Sequence, residues 1–125
     1  MGKLMDFLLA NSIGEDTKEV VVSDRLKDHP FTIKAIAPEK YDAYLKRAQK
    51  DKALRERRAE LEFIFECCVE PNFRDAETIK AAGCKTPQEL IDKVLLIGEQ
   101  KKLYLAISKI SGFDELEAQV REVKN

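Results

Sequence analysis

One histidine, three cysteines and a large supply of carboxylates are the groups from which a reaction centre could be assembled in this chain. Acid–base or nucleophilic catalysis needs a nucleophile with a base in hydrogen-bonding reach, or carboxylates that converge on a metal. His29 immediately precedes Pro30 in a polar stretch that reads as a turn, and no Ser, Cys or Asp spacing singles out a partner for it. Cys67 and Cys68 are adjacent, so on one helix their side chains point about 100° apart. Cys84 stands apart from them, and no fourth ligand has the spacing that tetrahedral zinc requires. An odd number of cysteines without a secretion signal also argues against a disulfide framework, which leaves three buried or partly buried thiols. Glu56 with Glu60, and Glu115 with Glu117, sit beside lysines and arginines in ordinary solvated charge patterns. No catalytic residue, cofactor-binding residue, metal ligand or cofactor is therefore assigned, and the chain reads as a non-enzyme.

Phosphate and nucleic acid are the next chemistries to weigh. Gly14, Gly83, Gly98 and Gly112 are isolated, and none belongs to a GxGxxG or GxxxxGK[ST] loop. In "GEQKK", Gly98 reads as a permissive joint between helices and Glu99 as a first-turn or capping carboxylate. The run "KRAQKDKALRERR", residues 46–58, is the one basic face, with Lys46, Arg47, Lys50, Lys52, Arg55, Arg57 and Arg58. Asp51, Glu56 and Glu60 interrupt it and no aromatic side chain interleaves, so a small nucleic-acid-binding role is the alternative and not the first reading. Twenty-two basic residues against 23 acidic ones leave a formal charge of −1, too little for a field that draws in nucleic acid or anionic lipid. Near-neutrality also permits self-association, and a homo-oligomer is expected. No run of 18 apolar residues is present, and Asp6 stands where a myristoylation motif prefers serine or threonine. A soluble cytoplasmic protein without a membrane partner is the expectation.

With 125 residues, 44% of them hydrophobic, the chain can form one domain that buries roughly two thirds of its unfolded surface. Leu4, Phe7 and Leu8, with Met1 and Met5 nearby, have helical spacing over only a few turns before "NSIGED" breaks the pattern. Residues 1–14 therefore either dock on the body or form an N-terminal arm that awaits a partner. The β signal lies in Val20–Val22 and in the alternation of Phe31, Ile33 and Ala35 with Thr32, Lys34 and Ile36. Two strands need a cover, from a helix or from another chain.

The remainder reads as helical. Pro38 opens a stripe through Tyr41, Tyr44, Leu45 and Ala48. Leu61, Phe63, Ile64, Phe65, Cys67 and Cys68 form the next, which "EPNFRD" stops at Pro71 while Asp75 can cap a further helix. That short helix runs from Ala76 and ends near Gly83. In "TPQEL", Thr86 at N-cap, Pro87 at N1 and Glu89 at N3 form a capping box that leads into Leu90, Ile91, Val94 and Leu95. Leu103, Ile107 and Ile110 carry another helix that Gly112 ends, and Phe113, Leu116, Val120 and Val123 give a last amphipathic stripe. The expected fold is mainly α, a compact multi-helix domain over residues 1–125 with a small N-terminal β-hairpin or two-stranded element. Its working surface would be apolar helix face left over after the core is closed: Leu4, Phe7 and Leu8, and Phe113, Leu116 and Val120.

Several phrases also read together. "FLLAN", "EVVVSDRLKD", "PFTIKAI", "YDAYLKRAQK", "CCVEPNFRDAETIKAAGCKTPQELIDKVLLIGEQKKLYLAISKISGF" and the terminal "VKN" succeed one another in an order that resembles the XkdN-like tail assembly chaperones of tailed bacteriophages and defective prophages. The resemblance spans nearly the whole chain; Leu26 departs from it, standing where an "S-x-R-F" phrase would carry an aromatic. It implies a non-enzymatic role in morphogenesis, in the cytoplasm of the bacterial host. Chaperones of this kind bind the long tape measure protein, keep its apolar helices from aggregating and leave as tail tube subunits polymerise around it. They are absent from the mature virion, and some systems also make a longer frameshifted form of the same protein.

Overall fold

The computed structural model describes residues 2–11, 17–50 and 56–113. Along the chain run α1 (Lys3–Ala10), β1 (Thr17–Val20), a 3-10 turn (Asp24–Leu26), β2 (Phe31–Lys34), α2 (Pro38–Lys50) and α3 (Glu56–Cys67). After them come β3 (Cys68–Glu70), α4 (Ala76–Ala81), α5 (Pro87–Val94) and α6 (Ile97–Ile110). The fold is mainly α with a small antiparallel sheet ordered β1-β2-β3.

The central strand shows the expected alternation. Phe31 and Ile33 are buried while Thr32 and Lys34, which alternate with them, are half-buried. β1 starts before the valine run and takes in only Val20 of it, pairing Thr17 with Lys34 and Val20 with Phe31. Val22 is buried beyond the end of that strand and Val21 is exposed. The strand missing from the sequence reading is β3, which sets Cys68 opposite Ile33 and Glu70 opposite Thr32. Cys68 and Val69 follow the apolar stripe of α3 without a break, so no change of period announces the change of structure.

The interior is built where that sheet meets helices. Ile33 of β2, Leu61, Ile64 and Cys67 of α3, Ile91 of α5, and Leu103 and Ile107 of α6 are its fully buried side chains. α6 lies against both α3 and β2, and α2 packs on α3. α3 is apolar on most of its circumference from Leu61 to Cys67, as expected of a helix enclosed by neighbours.

The helix ends obey local chemistry. Asp75 accepts from the N–H of Thr78 at 3.1 Å and opens α4. At its other end Gly83 adopts φ +76°, and the N–H groups of Cys84 and Gly83 reach back to Ile79 and Lys80, a Schellman closure. α6 ends in the same way at Gly112, φ +88°, with Phe113 bonded to Ser108. In the box that opens α5, Thr86 accepts from Glu89 N–H as expected, but the Glu89 carboxylate takes the N–H of Lys85, one residue before the cap, at 2.8 Å.

The joint between α5 and α6 differs from the one expected at Gly98. Gly98 is the second residue of α6, and the open space around it would accept a Cβ. The bend is made instead by Leu95 and Leu96, both in extended conformation, φ −124° and −67°. No left-handed backbone is needed there, so the joint owes nothing to glycine's conformational freedom.

Candidate partner-binding surfaces

α1 is an amphipathic helix with nothing buried. Leu4, Phe7 and Leu8 stand at three- and four-residue spacing on one side of it, joined by Met5 and Leu9, and every one of the five is exposed. Leu4 is 70% and Phe7 63% accessible. Gly2 provides no side-chain cap, while the Asn11 amide closes the other end on the Phe7 carbonyl at 2.9 Å. Eight residues in isolation make a marginal helix, and this one carries a dense apolar face that nothing among the described residues buries.

Phe113 belongs to a different environment from the one expected of a client contact. Its ring lies 5.5 Å from Tyr41 and 6.4 Å from Phe63, and it is half-buried at the edge of the core. Leu116 and Val120 lie outside the described residues. Leu4, Phe7 and Leu8 are thus brought together on an open face, whereas Phe113 is occupied within the fold.

A second apolar patch sits at the α5–α6 bend. Leu95 turns inward while Val94, Leu96 and Ile97 remain exposed, Leu96 at 63%. The sequence signal for it is the unbroken run "VLLI": four successive apolar residues cannot share one face of a helix or a bend.

Glu99 fixes the bend from inside and is a buried charged group with partners from three residues. Its carboxylate accepts from the backbone N–H of Leu96 at 2.8 Å, from Ser23 Oγ at 2.5 Å, and from Arg25 through Nε at 2.7 Å and Nη2 at 2.5 Å. The Leu96 side chain has no acceptor, so Glu99 supplies the reciprocal half of a capping box alone. Arg25 also donates to the carbonyl of Val94 at 3.0 Å, tying the 3-10 turn to the end of α5. Arg25 donation, with the Ser23 and Leu96 bonds added, outweighs desolvation and brings the Glu99 carboxyl down to about 2. The expectation of a first-turn carboxylate is met, with a partner from far along the chain that local reading could not supply. Next to it, Gln100 donates to Asp92 Oδ1 and the Leu95 carbonyl at 3.1 and 3.3 Å.

The histidine and the thiols are dispersed. His29 is exposed in its turn, its N–H bonded to Leu26. Cys67 and Cys68 are enclosed and Cys84 is half-buried. Burial is the main cause that pushes the thiols of Cys67 and Cys68 up to about 12. Since the thiolate is the reactive form, Cys84 should react with a disulfide reagent in the native protein while Cys67 and Cys68 do so only after unfolding. Reagent titration with and without denaturant, together with mass mapping, checks this; rapid native labelling of Cys67 or Cys68 would contradict it. Among the described residues no group of three or more His, Cys, Asp or Glu side chains could hold a metal ion. Nor is any described helix long and apolar enough to cross a membrane.

Of the basic run, only Lys46 and Arg58 have described side chains. Arg58 is spent on Gln88 at 2.6 Å and Glu62 at 3.4 Å. Arg47, Lys50, Lys52, Arg55 and Arg57 lie outside the described side chains.

Comparison with known proteins bears on these surfaces. The sequence model described as "Phage XkdN-like tail assembly chaperone protein" matches residues 4–124. A crystal structure titled as that of the protein yqbn superposes with a TM-score of 0.72 at 28% identity, over 91% of this chain and 99% of that one. No curated protein matches.

Proposed function

This chain belongs to the phage XkdN-like tail assembly chaperone family, and on that premise we propose that it holds the tape measure protein soluble through α1 until the tail tube forms. The single observation that carries this reading is the wholly exposed apolar face of α1, with Leu4, Phe7 and Leu8 at its centre. Burying one such side chain against a partner is worth roughly 1.5–3 kcal/mol before the costs of association are met. Three or four of them give an affinity that is modest at one site. A long helical client offers many such sites, so repeated weak contacts combine while each remains easy to displace. Polymerising tube subunits need only outcompete one contact at a time. The work is done in the cytoplasm of the bacterial host, and the chaperone leaves before the virion is complete. It needs no bond-making group, and its polar side chains orient and solubilise.

The test is co-expression of the chain with the tape measure protein of the same phage or prophage, then co-purification and mass measurement on a sizing column. Phe7→Asp with Leu8→Asp should reduce capture at least about tenfold, because both would be hot-spot positions at the centre of the contact. The far-ultraviolet circular dichroism of the body should remain, since neither side chain is buried in it. Undiminished capture with an intact fold would reject α1 as the client-binding element. Phe113 is unsuited to the same test, because its ring is part of the fold's own packing.

A further inference from the structure

Between α4 and α5 the chain leaves an open groove of about 500 Å³. Its floor is Ala76, Ile79, Cys84 and Pro87, and its rim is Arg74, Lys80 and Lys85, with no carboxylate in the lining. Arg74 is answered within the chain by Glu66 at 2.7 Å and Glu62 at 3.6 Å. Lys80 and Lys85 are exposed, and neither ammonium has an ion pair among the described residues. Of the nearby carboxylates, Asp75 is bonded to the N–H of Thr78 and Glu89 to the N–H of Lys85, while Glu77, exposed one turn before Lys80 on α4, makes no ion pair among the described residues and lies outside the groove lining. The groove is therefore an apolar trough with two unanswered cations above it.

We propose that this groove binds a short segment of a partner protein in which apolar side chains are flanked by carboxylates. The volume lies within the range of ordinary ligand sites and has room for a few side chains. Apolar groups of the segment would cover exposed Ala76 and half-buried Pro87 and Cys84, above the buried Ile79, and its carboxylates would meet Lys80 and Lys85. Complementary charge fixes the orientation of such a segment and rejects a basic one. Nucleic acid fits the trough less well, because its floor has no aromatic ring on which a base could stack. The site is on different elements from α1, and its test needs no tail protein, so either reading can fail alone.

Cys84 in the floor is a built-in reporter, since Cys67 and Cys68 are enclosed. A fluorescein-labelled short peptide of alternating glutamate and leucine is titrated into the full chain by anisotropy, and alkylation of Cys84 is timed with and without it. Binding with slowed alkylation is expected. In the Lys80→Glu, Lys85→Glu double variant, with its circular dichroism unchanged, binding should weaken about tenfold or more. The matching lysine–leucine peptide should then bind the variant in preference to the wild type, a reversal that mere loss of structure would not produce. Equal binding by wild type and variant, unchanged alkylation of Cys84, or binding only of a single-stranded oligonucleotide would each overturn the proposal.

Discussion

Replacing Phe63 with alanine is expected to lower the free energy of unfolding by about 4 kcal/mol, the range for deleting a buried aromatic ring. Phe63 is 3% accessible and stands edge-on to Tyr44 at 5.8 Å and Tyr104 at 5.6 Å, with Phe113 6.4 Å away. Those rings come from α2, α6 and the turn just past α6, so this one side chain of α3 joins three parts of the molecule. Edge-on pairs add about 0.5–1.5 kcal/mol beyond the area they bury, and alanine would forfeit them together with the ring's transfer energy. The neighbours are themselves aromatic and stiff, so the space would collapse only in part. Phe63→Leu, which keeps much of the volume, should cost less than half as much. Urea unfolding monitored by circular dichroism measures both, with the midpoint falling and the slope retained. A loss below about 1 kcal/mol for Phe63→Ala would show that the cluster adds little.

The same cluster marks the boundary of what a sequence can disclose. Helix ends are readable because each is governed by a few consecutive residues: Asp75, Thr86–Pro87, Gly83 and Gly112 all act within one turn of where they stand. The mainly α character and the family likeness are readable for a related reason, since both are carried by order and spacing along the chain. Tertiary cover is not. Phe7 and Phe113 look alike as members of amphipathic stripes, and only packing makes the first open and sets the second, half-buried, against the edge of the core. β3 is hidden because three residues cannot display a period of two. The role of Glu99 is half visible: its position in the first turn of α6 points to a cap, but Arg25 is 74 positions away. Spacing alone places the bend between α5 and α6 at the nearest glycine, whereas the structure makes it from extended leucines held by that carboxylate.

Glu99→Gln should cost about 3 kcal/mol at neutral pH, and the penalty should fade in acid. The amide is nearly isosteric and can still accept from Leu96, so the loss isolates the charge that binds Arg25 and Ser23. The folded carboxyl is held at about 2 against an ordinary value of 4.5, which makes it the depressed kind of shift. Its stabilising contribution is therefore complete above about 4.5, declines as pH falls through that interval, and is gone below about 2. The stability curves of wild type and Glu99→Gln should accordingly run parallel from neutral pH to the upper limit and converge below it. Denaturant titrations at stepped pH read this directly; a penalty that stays constant down to the lower limit would mean that packing, and not ionisation, sets the cost. Arg25→Ala completes a cycle with Glu99→Gln, and because the two side chains share one contact the double variant should lose less than the sum of the singles. That coupling also reaches the surface. Arg25 and Glu99 grip the carbonyl of Val94 and the N–H of Leu96, so breaking the pair frees the backbone on which Val94, Leu96 and Ile97 are displayed. Faster hydrogen exchange at Leu96 in Glu99→Ala, which also removes the acceptor of its N–H, with Ile33 in the central strand still protected, would show that this side chain holds the apolar bend in shape as well as contributing to global stability.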